Sequence, residues 1–434
     1  ASEAVYAAGY LFVLGAPLIA RTRAVLRVFA VRGLLATGLA VLIYLVAPVI
    51  APAKPFEGGG LWGTLLQWER LNDQPITAFP AFHAIWAILA ASVYIDRWPG
   101  WRAAWWGGAL AISASCLTTG MHAVVDVAAA WVLAAALLQS DLLWARIRSG
   151  AERLANSWHE VRLGPFRLMS HGVYAGLGVL IGSLVILGLV GRENLPWLLL
   201  VGTSSIVGAG LWAQFIEGSP LMLRPYGYYG AVPGCILGAA IAASLGADFW
   251  LLLGAFAVAA PFVQAIGRLR CLVQGCCHGR EAAPKVGIRY THPRSRVTRL
   301  SPLGGVPVHP TPVYSMLANL VIGPILVRLW MLRAPLAFVV GMYFLLSGLA
   351  RFVEEHYRGE PQTPSYGGLR VYQWLAIAWG VAGAVFMALG TAPAPPPAGL
   401  EWRVLIPVGL FAAVGYLAYG ADIPGSNRRF SRLV

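Results

Sequence analysis

Charge is scarce in this 434-residue sequence: Asp, Glu, Lys and Arg together make up 12% of it, about half the share found in ordinary soluble domains. That scarcity excludes a water-soluble enzyme of two or three domains. Apolar residues, by contrast, make up 58%, so a disordered chain is excluded as well. Cysteine is sparse and odd in number: Cys116, Cys235, Cys271, Cys276 and Cys277, most of them in or beside apolar runs. No disulfide framework is expected from such a set. Acidic residues are few, 18 against 32 Lys and Arg, for a formal net charge of +14. The basic excess is nearly all Arg and lies between apolar runs. No basic helix is interleaved with exposed aromatics for base stacking, so nucleic acid is not an expected partner. The first residues lack the pattern of a signal peptide.

Long apolar runs are what the sequence has in plenty. Stretches near 5–20, 33–53, 80–95, 104–120, 122–140, 172–190, 196–216, 229–247, 249–267, 311–331, 336–357, 371–390 and 403–420 approach the ~20 residues needed to cross a bilayer. They predict an all-α, polytopic integral membrane protein of about thirteen transmembrane helices in two bundles, multi-pass in the plasma (inner) membrane. Between the fifth and sixth runs, DLLWARIRSGAERLANSWHEVRLGPFR (141–167) alternates Leu and Trp with Arg and Glu at helical spacing, the pattern of an amphipathic interfacial segment. The expected layout is a membrane domain over 1–141, an amphipathic basic linker over 142–168 and a second membrane domain over 169–434. Basic loops alternate along the first half, which puts the starts of the third and fifth spans on the non-cytoplasmic face. Counted onward, the same rule puts the loop at 268–310 in the cytoplasm.

Those two span starts carry histidines. Phe79-Pro80-Ala81-Phe82-His83 opens one span and Gly120-Met121-His122-Ala123-Val124-Val125-Asp126 the other. Ionisable groups inside a membrane are costly and point to function. His122 and Asp126 are four residues apart, so on a helix they share a face and the carboxylate can orient the imidazole. An oriented imidazole can attack phosphorus while a second His protonates the departing oxygen. FPAFHA and TTGMHAVVDV make residues 30–140 resemble the type-2 phosphatidic acid phosphatase superfamily, most closely its sphingolipid-synthase branch. The resemblance implies His122 as nucleophile, Asp126 as its orienting partner and His83 as general acid. Ser115-Cys116 stands where that family has an Arg, and its Lys/Arg-rich motif is missing. Lys54 and Arg70 are the nearby cations that could hold phosphate in its stead.

The second half carries arginines around a glycine-rich loop, GRLRCLVQGCCHGR (267–280). Its glycines let backbone approach a ligand and its guanidiniums offer planar forks to phosphate oxygens. His309-Pro310-Thr311-Pro312-Val313-Tyr314 opens a later span, Arg351-Phe352-Val353-Glu354-Glu355-His356-Tyr357-Arg358 closes another, and Gly367-Gly368-Leu369-Arg370-Val371-Tyr372-Gln373 begins a third. In that order the blocks resemble prolipoprotein diacylglyceryl transferase over about 170–390. The resemblance implies a cavity open sideways to lipid and phosphatidylglycerol as donor. It also implies transfer of the donor's diacylglyceryl group to a thiol as glycerol phosphate leaves. By position, Arg268 and Arg351 clamp the donor phosphate, and Gly279 and Arg280 close the loop. Glu355, Arg358 and Gln373 support the clamp from behind, and Tyr229, Gly230, Arg270, Gln274, His309 and Tyr314 complete the lipid-binding set. Arg270 replaces a Gly, Cys271 an Asn and Cys276 an acidic residue of that family. Tyr229 stands where it has a His, and tyrosine, with an ordinary pKa near 10, is a poor base at neutral pH.

Three readings stand on the sequence. The leading one is a phospholipid-consuming diacylglyceryl transferase with a fused His/His/Asp phosphoesterase domain. A second makes the N-terminal site a head-group phosphotransferase and leaves the second half to bind lipid. A third is a non-enzymatic lipid-binding or flipping protein. The expected partners are membrane phospholipids, with a phosphatidylglycerol-like donor, and a lipid or lipoprotein acceptor. Neither catalytic scheme requires a metal or other cofactor. Cys271, Cys276, Cys277 and His278 suggest zinc ligands, yet adjacent Cys276-Cys277 without C-x2-C spacing is a weak set. His159, His171 and His292 sit among polar residues and are expected to be solvated.

Overall fold

The computed structural model describes residues 2–50, 59–72, 77–216, 227–360 and 363–424. Lys54 and the Arg224-Pro225-Tyr226 segment lie outside the described residues. The chain divides into two compact units, Ala1–Arg146 and Ile147–Val434.

The first unit contains α1 (Ser2–Ile19), α2 (Arg23–Val46), α3 (Gly60–Asn72), α4 (Phe82–Arg97), α5 (Arg102–Thr118) and α6 (Val124–Leu138), and α7 (Ser140–Ala155) runs across the division. Helix α4 is the core. Its Ala84, Ala87, Ala90 and Ala91 are buried together with Ile85, Ile88 and Leu89, so α1, α2, α5 and α6 all pack on it. Small side chains allow that many neighbours because helices in lipid associate through close van der Waals fit.

The second unit contains α8 (Gly172–Val190), α9 (Leu195–Leu211), α10 (Tyr228–Ser244), α11 (Phe249–Gln274), a short α12 (Arg296–Leu300), α13 (Thr311–Met331), α14 (Leu336–His356), α15 (Val371–Met387) and α16 (Leu405–Gly420). Helix α11 is central, packed on α8, α10, α13 and α14. It starts on Asp248, whose carboxylate accepts the Leu251 N–H at 2.9 Å, and stops at Gly275 in the left-handed conformation, φ 72°. Helices α14 and α15 meet at glycines: a Cβ on Gly341 would lie 2.5 Å from the Gly383 carbonyl oxygen.

Every apolar run predicted from the sequence overlaps a helix, the 33–53 run only as far as Val46, with its residues 51–53 outside the described residues. Among the described residues eight helices are by themselves long and apolar enough to cross a membrane, nine if α6 and α7, bent by 65°, count as one span. The expected number, about thirteen, exceeds this because α4, α5, α6, α10 and α15 have only 15 to 17 residues, a length of about 23–26 Å against a hydrocarbon core of about 30 Å. The protein is an all-α, multi-pass membrane protein. The expected linker is helical only as far as Ala155. Beyond it Glu160–Leu163 and Phe166–Met169 pair as a hairpin around Gly164, φ 59°, and Ala421–Asp422 adds a third strand. Helical spacing in 141–167 gives way there to alternation, and Arg167 and Asp422 are both buried, with Nε donating to Oδ1 at 2.8 Å.

His159 is exposed, but His171 is not solvated: it is buried, its ring tilted at 52° to Trp158 with centroids 4.3 Å apart, and among the described residues neither ring nitrogen has a hydrogen-bond partner. Burial first, then the charges of Arg270, Arg296 and Arg167, push its pKa down from 6.5 to about 2. The ring is therefore neutral when folded and takes up a proton on unfolding below its ordinary value. Stability falls as pH drops through that range, by about 1.4 kcal/mol per pH unit from this group. Unfolding of detergent-solubilised protein between pH 7 and 5 should show this slope, and His171→Phe should reduce it by one proton. Gly341→Leu should lower the thermal midpoint by forcing α14 from α15, at a cost of about 1–3 kcal/mol, read by tryptophan fluorescence on heating.

Candidate functional site

Arg351, Glu354 and Glu355 recur at i, i+3 and i+4 on the last turns of α14, so the helix presents them on one side, and Arg358, two residues past its end, pairs back onto Glu354. Glu354 is the shared partner. Its Oε1 lies 3.0 Å from Arg351 Nη1 and 2.7 Å from Arg358 Nη2, and its Oε2 lies 3.7 Å from Arg268 Nη2 on α11. Glu355 pairs with Arg351 at 2.6 Å and with Arg370 at 3.5 Å, and Glu360 pairs with Arg358 at 3.3 Å. Ser315 on α13 accepts from Arg268 Nε at 3.0 Å. Four guanidiniums (Arg268, Arg351, Arg358, Arg370) against three carboxylates (Glu354, Glu355, Glu360) leave one positive charge in excess. Arg270 adds a further cation. It donates to the Tyr419 carbonyl oxygen at 3.1 Å and lies over that ring at 5.4 Å.

Of these charged groups Arg268, Arg270, Arg351 and Arg358 line a cavity of about 400 Å³ whose wall is otherwise mostly apolar, with Val179, Ile186, Leu198 and Phe256 among its groups. A polar clamp in an apolar wall suits an amphipathic anion, and the volume is that of a ligand site.

Of the residues assigned to lipid binding from the sequence, Tyr229, Arg268, Arg270, Arg351 and Arg358 line the cavity. Tyr229 donates to the Tyr372 carbonyl oxygen at 3.1 Å and stacks on that ring. The others build the frame. Gly230 is a contact of α10 with α9, since a Cβ there would lie 2.3 Å from the Gly208 carbonyl oxygen. Gln274 is wholly buried at the end of α11. Gly279 and Arg280 tie the loop by backbone, Gly279 N–H to His309 O at 3.0 Å and Arg280 N–H to Tyr357 O at 2.9 Å. The Arg280 side chain is exposed, bonded to His356 at 3.0 Å. His309 bonds Tyr314 at 3.0 Å, and burial, followed by the nearby Arg280 and His356, lowers its pKa. Glu355 serves the ion-pair network, and Gln373 accepts the Arg370 N–H at 3.0 Å and caps α15. Sequence reasoning passed over Glu354, although it lies three residues after Arg351 and four before Arg358. It also passed over Ser315, Arg370 and the chain formed by Tyr228, Tyr343 and Gln264, bonded at 2.9 and 2.8 Å.

In the first unit His122 and His83 come together, ring centroids 6.3 Å apart. His122 is on the turn before α6 and not on the helix with Asp126. Its Nδ1 bonds the Ala78 carbonyl oxygen at 2.9 Å, while the Asp126 carboxylate is 3.8 Å away and accepts the Ala123 N–H at 2.7 Å. The backbone thus orients the ring, and Asp126 caps α6 and contributes charge. A carbonyl partner fixes the proton on Nδ1 and directs the lone pair to Nε2. Tyr6 and Tyr10 reach His83 at 2.9 and 3.0 Å. Arg70 bonds the Thr119 carbonyl oxygen beside the His122 turn.

Replacing Glu354→Gln leaves three buried guanidiniums short of their common anion. It should destabilise the second unit by about 3–5 kcal/mol, whereas Ser315→Ala, which removes one hydrogen bond to Arg268, should cost about 1 kcal/mol; denaturation of both variants in the same micelle compares them.

Residues 160–389 match the family described as prolipoprotein diacylglyceryl transferase, and residues 1–139 match the PAP2 superfamily. Two curated relatives are similar to the second half. One, phosphatidylglycerol–prolipoprotein diacylglyceryl transferase 2 of Clostridium perfringens, is 25% identical over 228 residues, 49% of this chain and 86% of that protein. The other, phosphatidylglycerol–prolipoprotein diacylglyceryl transferase of Clostridium tetani, is 28% identical over 153 residues, 33% of this chain and 57% of that protein. With an arginine-lined cavity in the second unit and a PAP2 superfamily match ahead of it, the chain belongs to the prolipoprotein diacylglyceryl transferase family, a family of membrane enzymes.

Proposed function

We propose that the second unit binds an anionic glycerophospholipid, phosphatidylglycerol or one like it, in the plasma membrane and passes its diacylglyceryl group to the thiol of a prolipoprotein. The observation that carries this reading is the pairing of Arg268 and Arg351 through Glu354 beside an apolar cavity with positive charge in excess. The two guanidiniums take the phosphodiester, and the acyl chains lie along the apolar wall. As the thiolate attacks the glycerol carbon, the carbon–oxygen bond breaks and negative charge grows on the departing phosphate, where fixed cations stabilise it most. The printed names of both relatives, which give phosphatidylglycerol and prolipoprotein, support the same donor and acceptor.

For the first unit we propose phosphate-ester chemistry. His122 Nε2 attacks phosphorus and His83 gives its proton to the leaving oxygen, the two rings standing 6.3 Å apart. Its substrate is the glycerol phosphate that the transfer releases or another phosphate ester in the same membrane. The alternative, a head-group phosphotransferase at this site as the main activity, is favoured by the same pair of rings.

Separate His122→Ala and Arg268→Ala variants given labelled phosphatidylglycerol decide between them. Arg268→Ala should lower diacylglyceryl transfer by about 100-fold or more while His122→Ala leaves it within a few-fold of the parent. Loss of phospholipid turnover in His122→Ala alone would overturn the transferase reading in favour of the phosphotransferase.

A further inference from the structure

The sulfur atoms of Cys271, Cys276 and Cys277 lie within 4.8 Å of one another, and all three residues line the same cavity as Arg268 and Arg351. Spacing in the sequence argues against a metal site, but the fold supplies what the spacing lacks. Cys271 is on the last turn of α11, whose end at Gly275 in the left-handed conformation turns the chain back so that Cys276 and Cys277 face it. A side chain at position 275 would lie 2.5 Å from Ser295 Oγ, so the turn requires glycine. Cys276 Sγ and Cys277 Sγ are 3.8 Å apart, and tetrahedral zinc with bonds of about 2.3 Å holds its sulfurs about 3.8 Å from one another. Three soft thiolates select a thiophilic d10 ion over magnesium or calcium. Their charge with a divalent ion is −1, and Arg268 Nη1 stands 3.5 Å from Cys277 Sγ to meet it. His278 is turned away, its Nδ1 on the Gly275 carbonyl oxygen at 3.1 Å.

We propose that Cys271, Cys276 and Cys277 form a three-thiolate zinc site whose fourth position opens into the lipid cavity. Three protein ligands with one open position is the pattern of a catalytic zinc. The role of the site rests on the transferase reading above, whereas its existence does not. An acceptor thiol entering the fourth position loses its proton to water and stays bound as a thiolate. Its sulfur then forms a bond to the glycerol carbon as the carbon–oxygen bond breaks, and that electron pair leaves with glycerol phosphate. This supplies a thiolate at neutral pH, which the Tyr229 hydroxyl does not.

The test uses the full chain, purified in detergent under reducing, oxygen-free conditions. Zinc should remain at about one equivalent per chain after desalting, and cobalt in its place should show sulfur-to-metal charge-transfer absorption. Cys271→Ser and Cys277→Ser should each weaken zinc binding by more than about 100-fold and remove that absorption, with Cys116→Ser as the unaffected control. No retained zinc and no charge-transfer band in the parent protein overturns the site whatever the variants do. If zinc binds and transfer from phosphatidylglycerol continues at full rate after the metal is stripped, the catalytic role is overturned. Bound zinc with transfer missing in every form would instead overturn the transferase reading and leave the site standing.

Discussion

The second unit is organised by one carboxylate. Glu354 stands among the Arg268, Arg351 and Arg358 guanidiniums, 95% buried, near the end of a helix that is apolar from Leu336 to Leu346. Placing such groups out of water is expensive, and each is tolerable only because the others are present. The carboxylate ties α14 to α11, since Arg268 on α11 forms its one ion pair among the described residues with Glu354. It also sets the polarity of the cavity: with the negative charges of the network engaged, the surplus is positive.

Much of the architecture was legible because a membrane imposes few solutions. Apolar runs of about 20 residues can only be helices there, and every run located in the sequence overlaps one among the described residues. Length was the weaker signal, because a run of apolar residues continues through the turn that ends a helix, as at Leu245 after α10. The 160–169 hairpin escaped notice since its strands span only four residues each, too few to outweigh the helical spacing ahead of them. Buried His171 escaped for another reason: its surroundings are made by Arg270, Arg296 and Trp158, two of them about a hundred residues away or more.

The candidate sites divide along the same line. Arg268 and Arg351 could be named from motif order, while Glu354, with which both pair, was passed over because its role comes from a contact between α11 and α14. In the first unit the histidines were found but the geometry was not. Four-residue spacing suggests a shared helical face, whereas Gly120, φ 72°, breaks the chain just ahead of His122 and hands its orientation to a backbone carbonyl. The three thiols are the extreme case, because adjacent cysteines look unpromising until a left-handed glycine folds them toward a third.

The clasp between Arg167 and Asp422 joins positions 255 residues apart. Closing a ring of that size carries an entropy cost of about 5 kcal/mol, and contacts so distant along the chain are the last to be rewarded during folding. Asp422 follows α16, the last helix among the described residues, so the clasp closes around α8 to α16. The arginine-lined cavity thus belongs to a ring of chain whose ends are joined at Arg167 and Asp422, so an opening of that clasp is felt at both ends of the unit at once.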